Sequence, residues 1–159
     1  MLLVAAGIEA IAEGNFSSSN NATKLSFKTG ASEAATEKMS LSSAGILTIQ
    51  GEGSNTTNAT QGVSKAWGHV NGSGTPAFED SLNLASLTDN ATGDYTAVIA
   101  NDMDNVNYVL AGSTSTGGFF TNALVNRAQA AGSIRFITSN GDSGFDTSNN
   151  SIALHGDLS

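Results

Sequence analysis

Two histidines, three close pairs of carboxylates and two adjacent phenylalanines are the residues whose types and spacing could carry chemistry. His69 stands in "SKAWGHV" and His155 in "ALHGD". Either would activate a serine only with that serine and an orienting acid in contact, which chain order does not show. Both read as strand positions with ordinary hydrogen bonds or as contacts around a symmetry axis. The carboxylate pairs are Glu79/Asp80, Asp102/Asp104 and Asp142/Asp146. A glycosidase sets two carboxylates about 5–10 Å apart across a cleft, usually with aromatic platforms, and aromatics are only 6% of this chain. On a strand, Glu79 and Asp80 would point to opposite faces. The other two pairs sit among turn residues, where Asp is favoured for its local hydrogen bonds. "GDSGFDTSNNS" carries oxygen ligands at alternating positions but lacks the spacing and closing Glu of a calcium loop. Turn chemistry is the reading there, with a cation at Asp142 and Asp146 as the alternative.

In "STSTGGFFTN", Phe119 and Phe120 cannot both face one side of a sheet. They are assigned as a receptor or subunit contact, the subunit interface being preferred. Seven Asn-X-Ser/Thr triplets follow from composition. Without cysteine the chain has no disulfide, thiolate metal site or cysteine nucleophile. No catalytic residue, metal or cofactor is implied, and the expectation is a protein that is not an enzyme.

The elements that position these residues are short strands. Charged residues are 13% of the 159, and Gly outnumbers Pro by 18 to 1; such a polar, uncharged chain suits turn-rich β-structure better than helices held by ion pairs. A net charge of −8 with six scattered Lys and Arg excludes a nucleic-acid stripe. The apolar run in "MLLVAAGIEAIA" is far short of the ~20 residues that cross a bilayer. It is read as a strand or interface segment in preference to a signal peptide.

"KLSFKT" alternates Lys24, Ser26 and Lys28 with Leu25, Phe27 and Thr29, which buries one face. In "EKMSLSSAGILTIQG", Met39 and Leu41 lead through a Ser-Ser-Ala-Gly bend to Leu47 and Ile49, a hairpin signal. "GASEAATEK" between them is a marginal helical turn. Six large apolar side chains cannot offset the ordering of some 40 residues at roughly 1 kcal/mol or more each, so this half is expected to share its apolar face with copies of itself. The polar run 51–62 marks a boundary between an N-terminal segment, 1–61, and a C-terminal domain, 62–159. Strands are expected at Val63–Val70, Ala77–Leu87, Tyr95–Ala100, Tyr108–Ser113, Ser133–Ser139 and Ser151–His155. "TDNATGD" bends the hairpin that ends at Ile99. "ALVNRAQAAG", Ala123–Gly132, is a two-turn helix or else a strand with a loop, and Trp67 is expected in the core. The fold class is all-β: a strand and hairpin segment followed by an antiparallel β-sandwich.

The stretch "SKAWGHVNGSGTPAFEDSLNLASLTDNATGDYTAVIANDMDNVNY" resembles the distal domain of tailed-bacteriophage tail fibres. The resemblance rests on Lys65-Ala66-Trp67, Gly72, Gly74-Thr75, Ser81, Asn83, Thr88-Asp89-Asn90, Thr92 to Thr96 and Asn107-Tyr108. "KLSFKTGASEAATEKMSLSSAGILTIQG" is similar to fibre-shaft segments, and "IALHGDL" to the family's last strand. Gly68 and Glu79 depart from the pattern, an apolar and a basic residue being usual there, so the strand edge is expected to pair differently. The resemblance implies an intertwined homotrimer in a virion tail fibre that attaches to host surface glycan or an outer-membrane protein. Its N-terminal segment would join other tail proteins, and neither nucleic-acid binding nor membrane insertion is implied. Rival readings are a fibre, decoration or baseplate protein elsewhere on the particle, and a tail-spike polysaccharide depolymerase.

Overall fold

The apolar–polar alternation at the start of the chain builds a single sheet. The computed structural model describes residues 4–51, 55–115, 123–139 and 143–159, in two units, Met1–Gly62 and Val63–Ser159. Unit 1 is an antiparallel sheet of five strands in chain order: β1 (Ala6–Ala12), β2 (Thr23–Thr29), β3 (Thr36–Leu41), β4 (Leu47–Gln50) and β5 (Thr56–Asn58). A single turn, α1 (Ala59–Gly62), follows. "GASEAATEK" makes bends and the start of β3 instead of a helical turn. The polar run from residue 51 supplies β5, which pairs with β4 from Thr48↔Asn58 to Gln50↔Thr56. Ladder hydrogen bonds need backbone alone, so absent apolar periodicity does not forbid a strand.

Register sorts the side chains of this sheet, apart from a bulge at Lys38. One face carries the row Ala10–Leu25–Leu41–Leu47 and, beside it, Ile8–Phe27–Met39–Ile49–Thr57. The other carries Glu9–Ser26–Ser40–Thr48–Asn58. The sequence leads one to expect the apolar face buried, yet within one chain it is not. Ile8 is 72% exposed, Leu25 45%, Leu41 40% and Ile49 38%. Among the described residues of unit 1 only Ser26 and Ser40 are buried. They lie on the polar side, where Lys24 pairs with Glu37 and Lys28 with Glu9.

Glu37 accepts from Lys24 Nζ at 2.8 Å and from Ser26 Oγ at 2.7 Å. The Lys24 ammonium and the Ser26 hydroxyl hold its carboxyl down from an ordinary 4.5 to about 2. Its folded value lies below its unfolded one, so the contribution is complete above about pH 4.5 and fades as pH falls toward 2. With Glu37 partly solvated, screening leaves roughly 1 kcal/mol. Carboxyl-carbon NMR should therefore find Glu37 titrating near 2; a midpoint near 4.5 would mean that Lys24 and Ser26 do not hold it.

Unit 2 has its own interior. Sheet I has the order β10 (Val109–Ser115), β13 (Asn149–His155), β6 (Ala66–Asn71), β7 (Ala77–Leu82). Sheet II has the order β11 (Ala123–Ala130), β12 (Ser133–Ser139), β9 (Asp94–Ile99), β8 (Leu84–Ala91). All neighbours are antiparallel. The chain is nearly all-β, and this unit is sandwich-like. Ala66, Val70, Ile152 and Leu154 from sheet I meet Tyr95, Ala97, Ile99, Ile134 and Phe136 from sheet II, with Met103 and Tyr108 closing one end. The Tyr95 and Phe136 ring centroids are 5.6 Å apart at 45°, a tilted aromatic pair.

Two expectations for this unit are corrected and one alternative is decided. Ala77–Leu87 is two strands, broken at Asn83, whose φ of 55° turns the chain out of sheet I into sheet II. Asn83 Nδ2 donates to the carbonyls of Lys65 (3.1 Å) and Asn101 (3.0 Å), while its Oδ1 accepts from the Asn101 backbone N–H at 2.8 Å. "TDNATGD" is mostly strand: pairing continues to Ala91↔Asp94, leaving Thr92-Gly93 as the turn. Ala123–Ala130 is a strand paired with β12. Its helix-forming residues lose to ladder pairing because helix propensity yields readily to tertiary context. No helix among the described residues is long and apolar enough to cross a membrane.

Candidate functional site

The outward face of sheet I brings together His69 and one of the carboxylate pairs singled out by sequence, Glu79/Asp80. Strand β6 turns Ala66, Gly68 and Val70 inward, so Trp67 and His69 point out. Trp67 is 36% exposed, not in the core. A pleated strand buries one parity only, and the inward one has no room for an indole. Even a Cβ on Gly68 would lie 2.8 Å from Leu84 Cδ1 and 3.0 Å from the Phe78 ring.

His69 is gripped at both ring nitrogens, Nδ1 lying 2.9 Å from Glu79 Oε2 and Nε2 3.0 Å from Asn149 Oδ1. Glu79 reaches it through a bulge. His69 pairs with Asp80 and Val70 with Phe78, leaving Glu79 as the extra residue. The extra residue resets the alternation, so Glu79 and Asp80 are both exposed and do not divide between faces. Asp80 Oδ1 accepts the Ser81 N–H at 2.8 Å. His155 faces Val109, four residues along β13 from Ser151, the partner of His69, or about 13 Å at 3.3 Å per residue. Among the described residues neither ring bonds a serine hydroxyl, so no nucleophile–base pair is assembled there.

Of the remaining carboxylates, Asp146 holds a turn. Asp146 Oδ1 accepts from the Gly93 N–H at 2.7 Å and the Tyr95 hydroxyl at 2.8 Å. Burial, with Asp146 beside it, pushes the Tyr95 hydroxyl well above its ordinary range. Asp142 lies outside the described residues, as do Phe119 and Phe120. Asp104 Oδ2 accepts from Asn105 Nδ2 at 2.9 Å, and the Asp102 carbonyl takes the Ser159 N–H at 3.0 Å. Asp94, nearly buried, receives Arg135 Nε at 2.8 Å and Nη2 at 2.7 Å. That guanidinium holds the Asp94 carboxyl below its ordinary 3.8. The pair bridges β9 and β12 as a two-pronged contact. Among the described residues no three His, Asp or Glu side chains converge as a metal site requires.

A cleft of about 180 Å³ is lined by Asn105, Asn107, Tyr108, Gly156 and Asp157. It is smaller than the roughly 300 Å³ at which small-molecule pockets begin. No protein-family model, curated protein or solved structure matches this chain. Geometry alone therefore ranks the surfaces. Two stand out: the uncovered apolar face of unit 1, and the outward face of sheet I around Trp67 and His69. Only the first was foreseen. The small inward residues Ala66, Gly68 and Val70 were the available signal for the second, because their parity forces Trp67 outward.

Proposed function

We propose that this chain is a structural, non-enzymatic protein that associates with itself through unit 1, as a homotrimeric component of a virion tail fibre. Unit 2 is then the part that attaches to the host cell surface. The carrying observation is the pair of apolar rows through Leu25 and Leu41 and through Ile8, Phe27, Met39 and Ile49, in which Ile8, Leu25, Leu41 and Ile49 stay exposed and Phe27 and Met39 are only half-buried. Five strands about 4.8 Å apart, averaging about 18 Å in length because β4 and β5 are short, give a footprint of about 430 Å² per chain. Three such faces turned inward would hide about 1,300 Å² in the trimer as a whole, all of it from apolar rows that water otherwise meets. Closed cyclic symmetry covers every copy equally and leaves no open end. The virion and attachment parts of the reading rest on the resemblance of residues 64–108 to distal fibre domains.

Light scattering at micromolar concentration tests the assembly. Three times the 16.1 kDa chain mass is the expected result. A mass of one chain, with slow amide exchange across residues 24–49, would overturn it. Density located on an intact particle separates a tail fibre from a head, decoration or baseplate position. No observation favours the depolymerase, since Glu79 and Asp80 sit side by side on an open sheet face. Host envelope polysaccharide should yield no new reducing ends or unsaturated sugars.

A further inference from the structure

The geometry points to a sugar-binding platform on the outward face of sheet I, centred on Trp67 and taking a neutral hexose or N-acetylhexosamine unit of a glycan. The inference deepens the attachment role proposed above and rests on it for the biological source of the sugar. It does not rest on the assembly of unit 1.

Cross-strand register lays two rows beside each other on this face. The first is Ala111–Ala153–Trp67–Leu82 and the second Ser113–Ser151–His69–Asp80. They are two residues apart along each strand, or about 6.6 Å. In the first row Trp67 is flanked by two alanines on one side and the exposed Leu82 on the other. Small neighbours leave the indole as the raised feature, against which the C–H face of a pyranose can pack. The second row is polar throughout, and a ring seated on Trp67 brings its edge hydroxyls over it. There His69 is fixed by Glu79 and Asn149 at 2.9 and 3.0 Å. The Glu79 and Asp80 carboxylates and the Ser113 and Ser151 hydroxyls are exposed. An apolar strip beside fixed donors and acceptors is the complement of a sugar, which is apolar on its ring face and polar at its rim.

Size and charge choose the occupant. One apolar row across four strands covers on the order of 130 Å², far below the ~800 Å² per partner of a stable protein interface. A second copy of the chain is thus a poor fit, whereas one or two sugar rings match. Around Trp67 the carboxylates of Glu79 and Asp80 outweigh Lys65, whose Nζ donates to the Val63 carbonyl at 3.3 Å. On a chain of net charge −8 this disfavours sulfated, phosphorylated or uronic-acid glycans.

Trp67 is the only tryptophan, so its emission reports on the platform directly. The full chain would be titrated with cellotetraose, N-acetylchitotetraose and, as the anionic counterpart, a polygalacturonate tetramer, by fluorescence and by calorimetry. At least one neutral oligosaccharide should give a saturable emission change and the anionic one none. By calorimetry Trp67→Ala should weaken binding about tenfold or more, as loss of a central aromatic anchor does, and Trp67→Phe should retain most of it. Glu79→Gln should weaken it severalfold while leaving the fold intact. A Trp67→Ala chain that keeps the wild-type mass and loses the sugar supports the platform. No saturable change with either neutral sugar at millimolar concentration overturns it, as does heat that survives Trp67→Ala. An emission shift that follows protein concentration without sugar, or a changed mass in Trp67→Ala, gives the face to chain–chain contact and overturns it too. Because light scattering reads the assembly separately, failure of the sugar site and failure of the trimer are distinguishable.

Discussion

Glutamate at both Leu25 and Leu41 is expected to reduce the assembly to single 16.1 kDa chains. The two residues are direct cross-strand partners at the middle of the apolar face. Each is at least 40% exposed in the isolated chain, so the substitutions cost little within one copy. Their effect falls on association. Losing the burial of what two half-exposed leucines still show forfeits about 2 kcal/mol per chain, about thirtyfold in affinity. A carboxylate forced into the apolar interior adds several kcal/mol more. Light scattering should show the mass fall to that of one chain. Unit 2 should stay folded, because its core of Tyr95, Phe136, Ile134 and Leu154 lies within its own two sheets. A Thr56→Glu chain, altered on the polar face of the same sheet, should keep the wild-type mass. If the double variant keeps it as well, the apolar face is not where copies meet.

This result would also bear on how far the sequence could be read. The alternation in "KLSFKT" and "EKMSL" marks strands and their faces correctly, because side-chain period is a local property of a pleated backbone. It does not say what lies against the apolar face, and inside one chain nothing of unit 1 does. Where local signals failed, a partner distant in sequence decided. Asn83 looks like an ordinary strand residue until Asn101, 18 residues on, bonds its side chain in the left-handed conformation that splits the run. Ala123–Ala130 reads equally as helix or strand by composition and is a strand because β12 offers it a ladder. The bulge that brings Glu79 to His69 is a matter of pairing between β6 and β7, invisible in either strand alone. The candidate site was legible only as a collection of residue types. Its geometry required knowing which parity of β6 faced inward, and the largest residue misled, because Trp67 yields the interior to Ala66, Gly68 and Val70.

Gly93→Ala is expected to damage unit 2 severely. The two-residue turn between β8 and β9 places Gly93 at φ +69°, in the left-handed region that costs an L-residue about 1–2 kcal/mol. The turn is also clamped against the segment after β12. Gly93 N–H donates to Asp146 at 2.7 Å, and its carbonyl accepts the Thr138 N–H at 2.8 Å. A Cβ would lie 2.5 Å from the Phe145 nitrogen, 2.6 Å from the Thr138 oxygen and 2.8 Å from the Phe145 oxygen. All three are backbone atoms of the contact itself, so relief means parting the turn from Phe145 and Asp146. Losing those bonds and overpacking the site brings the expected cost to about 3–5 kcal/mol. Gly74 gives the control within the same unit. It stands at φ +74° with nothing within 4 Å of its Cβ position, so Gly74→Ala should lose only the conformational part, about 1 kcal/mol. Urea unfolding of the three full-length chains, followed by Trp67 emission, measures both. Equal losses at the two positions would mean that the β8–β9 turn is not packed against Phe145, and that Asp146 does not lock it.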